Sequence, residues 1–164
     1  MSDVDAKSVG AQVLQAYERY QRLAENGGFR SQLGKRLACP DDLRNTPAFY
    51  KLFPEMTWQN ERDHELNRRW QARAAFFFPW CRHSAKAEGV GAQLAKAGIS
   101  ESQFLQVFRS EPPNDLIQLR RLFQQVDVAI NWEKFGATLV YWGGERSKRE
   151  LLEDFFLNLN SKGK

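Results

Sequence analysis

Residues 60–80 read NERDHELNRRWQARAAFFFPW, and this stretch predicts the fold class. Its apolar side chains recur every three to four residues, which is the spacing of one face of an α-helix. The predicted inward stripe consists of Leu66, Trp70, Ala74 and Phe77. The arginines that fall off this stripe are Arg62, Arg68, Arg69 and Arg73. We therefore predict one long amphipathic helix, which Pro79 ends because proline cannot donate a backbone hydrogen bond.

In the sequence before this helix, apolar residues recur with the same helical spacing. This pattern predicts a long helix over residues 4–26, a short basic helix over 29–38, a turn over 41–45 and a helix that begins with Thr46 and Pro47. Gly27 and Gly28 end the first helix, and Pro40 stops the second. The N-terminal half is therefore expected to be helical throughout.

The C-terminal half carries several signals of helix starts. Ser100 with Gln103, and Ser147 with Glu150, have the spacing of capping boxes, in which a side chain at each end bonds the other's backbone N–H. Asn131 is a further predicted cap. Between these starts, the pair Pro112-Pro113 forces a break before a helix that runs to about Val126. Its predicted inward residues are Leu116, Leu119, Phe123 and Val126.

These patterns predict an all-α fold, a compact bundle of about eight to nine helices in two small lobes. No segment alternates apolar and polar residues over the length of a strand. Residues 82–91 are polar with glycines at their end, which is typical of a hinge. We therefore expect an N-terminal helical lobe over residues 1–88 and a C-terminal helical lobe over residues 89–164.

The composition excludes several classes of protein. The 164 residues are 42% hydrophobic and include 12 Phe and 5 Trp, which is far too rich in core-forming side chains for a disordered chain. The longest apolar run, residues 74–80, is much shorter than the roughly 20 residues that span a bilayer. No apolar leader opens the sequence, and its two cysteines lie far apart. A soluble, cytoplasmic protein without a membrane association is expected.

Catalytic and metal-binding patterns are missing from the sequence. It has no nucleophile paired with a base and no glycine-rich loop for phosphate. The four candidate metal ligands, Cys39, His64, Cys81 and His83, lack the paired spacing of a zinc site. We therefore expect a protein that is not an enzyme and uses no cofactor or metal.

Arginines on the predicted helix after Pro113 suggest a binding surface. The formal net charge is only +4, so the placement of the cations matters more than their number. With the apolar stripe of this helix inward, a turn of about 100° per residue points Arg121 away from the core and puts Arg120 on the flank. Both are expected to face outward. A solvated face or a salt bridge to a neighbouring helix is the alternative interpretation.

Cations at the start of the last predicted helix suggest a phosphate site. Lys148 and Arg149 occupy its first turn, and Arg146 precedes it. Positive charges there oppose the helix macrodipole, so local stability does not explain them. A phosphate would be attracted by the free N–H groups and by these three side chains. No motif for reading bases is present, so contacts to the phosphate backbone are expected.

Five stretches of the sequence, taken in order, point to one known family. They are Cys39-Pro40-Asp41-Asp42-Leu43-Arg44-Asn45-Thr46-Pro47-Ala48-Phe49-Tyr50-Lys51-Leu52, Gln118-Leu119-Arg120-Arg121-Leu122, Asn131-Trp132, Tyr141-Trp142-Gly143 and Glu150-Leu151-Leu152-Glu153-Asp154-Phe155. Each stretch is unspecific alone, but their order in a chain this short is specific. Together they resemble the CasB family of small subunits of the type I-E CRISPR Cascade complex, and the resemblance runs from about Asp5 to Asn160.

The resemblance implies an all-helical, two-lobed, non-catalytic subunit, present as two copies in an antiviral interference complex. Its partners would be CRISPR RNA, the target and non-target DNA backbone of the R-loop, the backbone filament and large subunit of Cascade, and a second copy of itself. Carried over by motif, the nucleic-acid-binding positions are Lys35, Arg36, Arg62, Arg109, Arg120, Arg121, Arg146, Lys148 and Arg149. The loop after Gly143 is about one residue longer than the family pattern, so the correspondence of Arg146, Lys148 and Arg149 stays open.

Two other interpretations are compatible with the residues. A helical adaptor that binds only proteins would use its arginines in salt bridges and would contact partners through aromatic residues such as Trp58, Trp80 and Phe156. A small DNA-acting enzyme would need a catalytic cluster, which the sequence does not contain.

Overall fold

The structure is a computed structural model that describes residues 3–34, 37–54, 60–143 and 145–159. Within these ranges the chain forms nine α-helices, which confirms the all-α prediction. They are α1 Asp3–Leu23, α2 Gly27–Gly34, α3 Pro47–Leu52, α4 Glu61–Ala75, α5 Val90–Lys96, α6 Glu101–Arg109, α7 Asn114–Gln125, α8 Trp132–Val140 and α9 Glu145–Leu159. Two 3₁₀ helices, Pro40–Asn45 and Phe78–Trp80, and two short strands, β1 Arg82–His83 and β2 Ala129–Ile130, complete the described elements. Across the described part of the chain, no helix combines the length and apolarity that crossing a membrane requires.

The predicted helix starts at Ser100, Thr46 and Asn131 are confirmed by their hydrogen bonds. The Ser100 hydroxyl accepts from the Gln103 backbone N–H at 3.1 Å, and the Gln103 side chain accepts from the Ser100 N–H at 2.9 Å, so the capping box is complete. Thr46 caps α3, and the Asn131 side chain accepts from two N–H groups in the first turn of α8. These starts follow from local sequence because each cap bonds only groups within three residues.

The helix predicted over residues 60–80 differs from the prediction in two ways. It ends at Ala75, and the aromatic run continues into the 3₁₀ helix before Cys81. Leu66, predicted to be inward, is 49% exposed, because the first turns of α4 extend past the core. Arg68, predicted to lie off the stripe, is buried and donates from Nη1 to the Phe53 carbonyl at 2.9 Å.

An aromatic core joins the two halves of the chain. Trp132 at the start of α8 stacks on Tyr17 of α1, with ring centroids 5.4 Å apart, and packs edge-on against Phe78 at 4.9 Å. The same helices approach closely at Gly136, where an added Cβ would lie 2.6 Å from the Cβ of Val13. A side chain at this position would therefore push α1 and α8 apart.

The segment predicted as a hinge contributes strand β1 to a small parallel sheet. Strand β1 pairs with β2 in the register Arg82 to Ala129 and His83 to Ile130. The His83 Nδ1 atom accepts from the Trp132 backbone N–H at 3.1 Å, and this bond ties β1 to the start of α8. Sequence patterns did not predict these two-residue strands, because they are too short to show alternating apolar and polar residues. The division into lobes near Glu88 stays a prediction.

Candidate nucleic-acid interface

The predicted nucleic-acid-binding positions fall into three groups. In the first group the side chains are exposed, and it consists of Arg62, Arg109, Arg121, Arg146 and Arg149. Arg120 and Lys148 direct their charged groups to protein partners. Lys35 and Arg36 lie outside the described residues.

Arg121 is placed as the sequence predicted. It is exposed on α7, whereas Leu119 and Phe123 on the opposite side of the helix are almost completely buried. The inward stripe of α7 therefore has the predicted orientation, and the Arg121 guanidinium faces solvent.

Arg120 does not face outward, so this part of the prediction is wrong. It is only 9% exposed, and its guanidinium carbon lies 3.9 Å from the centre of the Phe76 ring. Its Nη2 atom donates to the Leu37 carbonyl at 2.9 Å, whereas Nε and Nη1 are buried without a hydrogen-bond partner among the described residues. The flank of α7 is covered by these neighbours, which helical periodicity alone does not reveal. Burial, and then the charge of Arg121, lower the pKa of Arg120.

We expect Arg120 to support the fold rather than to contact nucleic acid. Arg120→Ala should lower the free energy of unfolding by about 2 kcal/mol, because it leaves a cavity over Phe76. Arg120→Met fills most of that space and removes an incompletely bonded buried cation, so its stability should stay within about 1 kcal/mol of wild type. Urea unfolding measures both values. A stable Arg120→Met protein with strongly reduced DNA affinity would contradict this assignment.

The start of α9 also differs from the prediction. The helix begins at Glu145, so Ser147 lies inside it and the predicted capping box with Glu150 is wrong. The Ser147 hydroxyl instead donates to the carbonyls of Thr138 and Tyr141, at 3.2 and 3.1 Å. Ser147 is buried against the end of α8, and this contact between helices replaces the local cap.

Arg146 and Arg149 are exposed on the first turns of α9. Arg146 pairs with Glu150 at 2.9 Å and Arg149 pairs with Glu145 at 3.6 Å, and both arginine side chains are more than two-thirds exposed. Surface pairs of this kind contribute little and are screened by salt, so they leave the guanidinium groups accessible to a phosphate. Glu145 also compensates part of the helix dipole, so the cations are less isolated than the sequence suggested.

Lys148 forms a buried connection between two helices. Its Nζ atom lies 2.8 Å from the Asp115 carboxylate and donates to the Ser110 carbonyl at 3.2 Å. Asp115 is completely buried and also accepts from the Trp142 indole N–H at 2.8 Å. The bond to Ser110 places the start of α9 beside the end of α6, where Arg109 is exposed. Sequence reasoning missed Asp115, because an acidic residue in the first turn of a helix is ordinary.

The remaining predicted position, Arg62, lies in the first turn of α4 between Glu61 and Asp63. These two carboxylates lower the positive potential around it.

Further along α4, Glu65 forms a bidentate ion pair with Arg44 of the 3₁₀ helix Pro40–Asn45, with hydrogen bonds of 2.5 and 2.9 Å. Hydrogen bonding to Arg44 lowers the pKa of Glu65 to about 2, so this pair ties the 3₁₀ helix to α4 across the neutral range.

The aromatic residues considered for a protein contact surface are less exposed than expected. Trp80 and Phe156 are half-buried and pack against the core, and Trp58 lies outside the described residues. The large hydrophobic residues that are exposed in the described part of the chain are Tyr50, Leu66, Tyr141 and Leu157.

Comparisons with known proteins match this chain to one family over most of its length. Residues 30–156 match the family described as CRISPR-associated protein Cse2. The chain is 32% identical over 151 residues to the CRISPR system Cascade subunit CasB of Escherichia coli K12, covering 88% of this chain and 92% of the relative. It is also similar to a chain in the crystal structure of E. coli Cascade bound to a PAM-containing double-stranded DNA target. The TM-score is 0.73 and the identity 32%, over 90% of this chain and 96% of that chain.

Proposed function

The chain belongs to the CRISPR-associated protein Cse2 family, and from this membership we propose that it is the non-catalytic small subunit of a type I-E Cascade complex. In this role it binds the backbone of CRISPR RNA and target DNA without reading sequence, and it stabilises the R-loop during antiviral defence in the cytoplasm. The observation that carries the proposal is the group of exposed arginines around α6, α7 and α9, in a chain that matches a Cascade subunit over nearly its whole length.

The proposed contacts are electrostatic. Each arginine that neutralises a phosphate releases condensed counterions, which favours binding regardless of base sequence. In an RNA-guided complex the pairing of guide and target supplies specificity, so backbone contacts are what a small subunit can add. The same surface would hold the displaced non-target strand, whose phosphates are accessible once it is single-stranded.

We assign the proposed roles according to exposure. The side chains that contact phosphates directly are those of Arg109, Arg121, Arg146 and Arg149. Arg62 makes a separate phosphate contact from α4. Lys35 and Arg36 remain predictions from sequence. Arg120 and Lys148 act indirectly, because their contacts with Leu37, Ser110 and Asp115 fix the helices that carry the exposed arginines.

The proposed assembly places the chain beside other proteins. We propose that it contacts the backbone filament and the large subunit, and that two copies lie next to each other in the complex. The relative with the matching fold is found in a Cascade structure that contains a double-stranded DNA target, which supports a place near DNA.

Single arginine variants test whether recognition is independent of sequence. Arg121→Ala and Arg149→Ala should each weaken binding to unrelated duplexes by the same factor, and should reduce the slope of log affinity against log salt by about 0.9 per lost phosphate contact. Fluorescence anisotropy with two unrelated duplexes at several salt concentrations measures both quantities.

Arg82→Ala is the matched control, because Arg82 is likewise an exposed arginine with a surface ion pair, but it lies on β1 and not on α6, α7 or α9. This variant should bind like wild type. A loss that depends on the duplex sequence, or an equal loss in Arg82→Ala, would contradict the proposed surface. Partner binding that is insensitive to salt, with no affinity for nucleic acid, would instead favour the protein-only adaptor.

A further inference from the structure

A cleft lies between α4 and the segments that lead into α7 and follow α8. It has a volume of about 380 Å³. Its lining combines apolar side chains, among them Leu66, Pro112 and Pro113, with the basic residues Arg69 and Arg73. The exposed arginines proposed to contact nucleic acid do not line it. The cleft is therefore a second candidate binding surface of different chemistry.

One face of α4 forms a wall of this cleft. Leu66, Arg69 and Arg73 are spaced by three and four residues, so they lie on the same side of the helix. Leu66 is the residue that the sequence predicted to be buried, and it is 49% exposed. An exposed leucine in line with two arginines gives the cleft an apolar and a cationic contact next to each other.

The positive charge in the cleft is poorly compensated. Arg73 is half-buried and donates from Nη2 to the Val140 carbonyl at 3.3 Å, but its Nε atom is buried without a hydrogen-bond partner among the described residues. Burial, and then the charge of Arg69, lower the pKa of Arg73. Arg69 is 60% exposed and reaches Glu65 only at 3.4 Å. Asp41 is the acidic residue in the lining, against these two arginines.

We propose that this cleft binds a segment of another protein subunit that presents a carboxylate beside an apolar side chain. The carboxylate would pair with Arg69 and Arg73, and the apolar side chain would cover Leu66 and the two prolines. A nucleic-acid backbone would satisfy the arginines, but its hydrated phosphates would leave these apolar contacts unused. The inference rests on the proposed function, because it requires that the chain works within a multi-subunit complex.

Site-specific photo-crosslinking in the assembled Cascade complex tests the occupant. A photoreactive phenylalanine analogue replaces Leu66, and mass spectrometry identifies what it captures after irradiation. The expected product joins position 66 to one segment of another Cascade protein that contains Asp or Glu beside an apolar residue. The same analogue at Leu157, which is 74% exposed on α9, is the control and should not give this product. Capture of RNA, of DNA or of a second copy of this chain, or no product, would overturn the proposal.

A substitution pair separates this inference from the proposed nucleic-acid binding. Leu66→Asp removes the apolar contact and places a competing carboxylate on the same helix face as Arg69 and Arg73. The fraction of the chain retained in complexes purified through another Cascade subunit should therefore fall at least about tenfold, a change of about 1.4 kcal/mol. Leu157→Asp is the matched control and should assemble normally. Because Leu66 lies one turn from Arg62, DNA binding is compared in the Arg62→Ala background. There the DNA affinity and salt slope of the isolated chain should be the same with leucine or aspartate at position 66. Normal assembly of Leu66→Asp, or loss of its DNA binding, would overturn the inference, whereas a wild-type chain that does not join Cascade would overturn the proposed function itself.

Discussion

Asp115→Ala is expected to lower the free energy of unfolding by about 3–5 kcal/mol, because it removes one partner from a buried ion pair. The Asp115 carboxylate is fully buried and bonds both the Lys148 ammonium and the Trp142 indole, at 2.8 Å each. Without it, the Trp142 N–H has no acceptor and the Lys148 cation is held in a largely buried site. Urea unfolding monitored by tryptophan fluorescence measures the loss.

Two further variants show whether the ion pair causes this loss. Asp115→Asn keeps an acceptor for Trp142 but removes the charge, so it should be more stable than Asp115→Ala and less stable than wild type. Adding Lys148→Met to Asp115→Asn removes the uncompensated cation and should recover part of the stability. If Asp115→Ala lost less than about 1 kcal/mol, the buried network would not stabilise the start of α9 as the structure indicates.

Replacing Arg109, Arg121, Arg146 and Arg149 by alanine together should have the largest effect on nucleic-acid binding. If each arginine contacts one phosphate, the slope of log affinity against log salt on duplex DNA should become shallower by about 3 to 4. The fold should persist, because all four side chains are exposed and their surface ion pairs contribute at most about 1 kcal/mol each. Circular dichroism and urea unfolding of the variant check that the loss of binding is not a loss of structure.

The features that the sequence predicted correctly depend on neighbouring residues. Helical periodicity predicted the all-α fold and the outward position of Arg121, because the direction of a side chain follows from its place on the helix. The caps at Ser100 and Asn131 were predicted for the same reason, since their hydrogen bonds stay within one turn. The family resemblance added the identity that local patterns could not supply.

The features that the sequence missed depend on contacts between distant residues. Arg120 is buried because Phe76 and the Leu37 carbonyl cover the flank of α7. Lys148 was predicted to face a phosphate, but Asp115 lies far from it in sequence and provides its counter-charge. Leu66 continues the apolar stripe of α4, yet the core does not reach it. Periodicity gives the face on which a residue lies, but not which neighbours cover that face.

A salt titration of the purified wild-type chain against unrelated single-stranded and double-stranded DNA tests the central claim most directly. The account predicts binding at low salt that weakens steeply as salt increases, with equal affinity for unrelated sequences of one strand type. The variant that lacks Arg109, Arg121, Arg146 and Arg149 should lose most of this steepness. Absence of binding at low salt, or binding by the variant with an unchanged slope, would contradict recognition of the nucleic-acid backbone by these arginines.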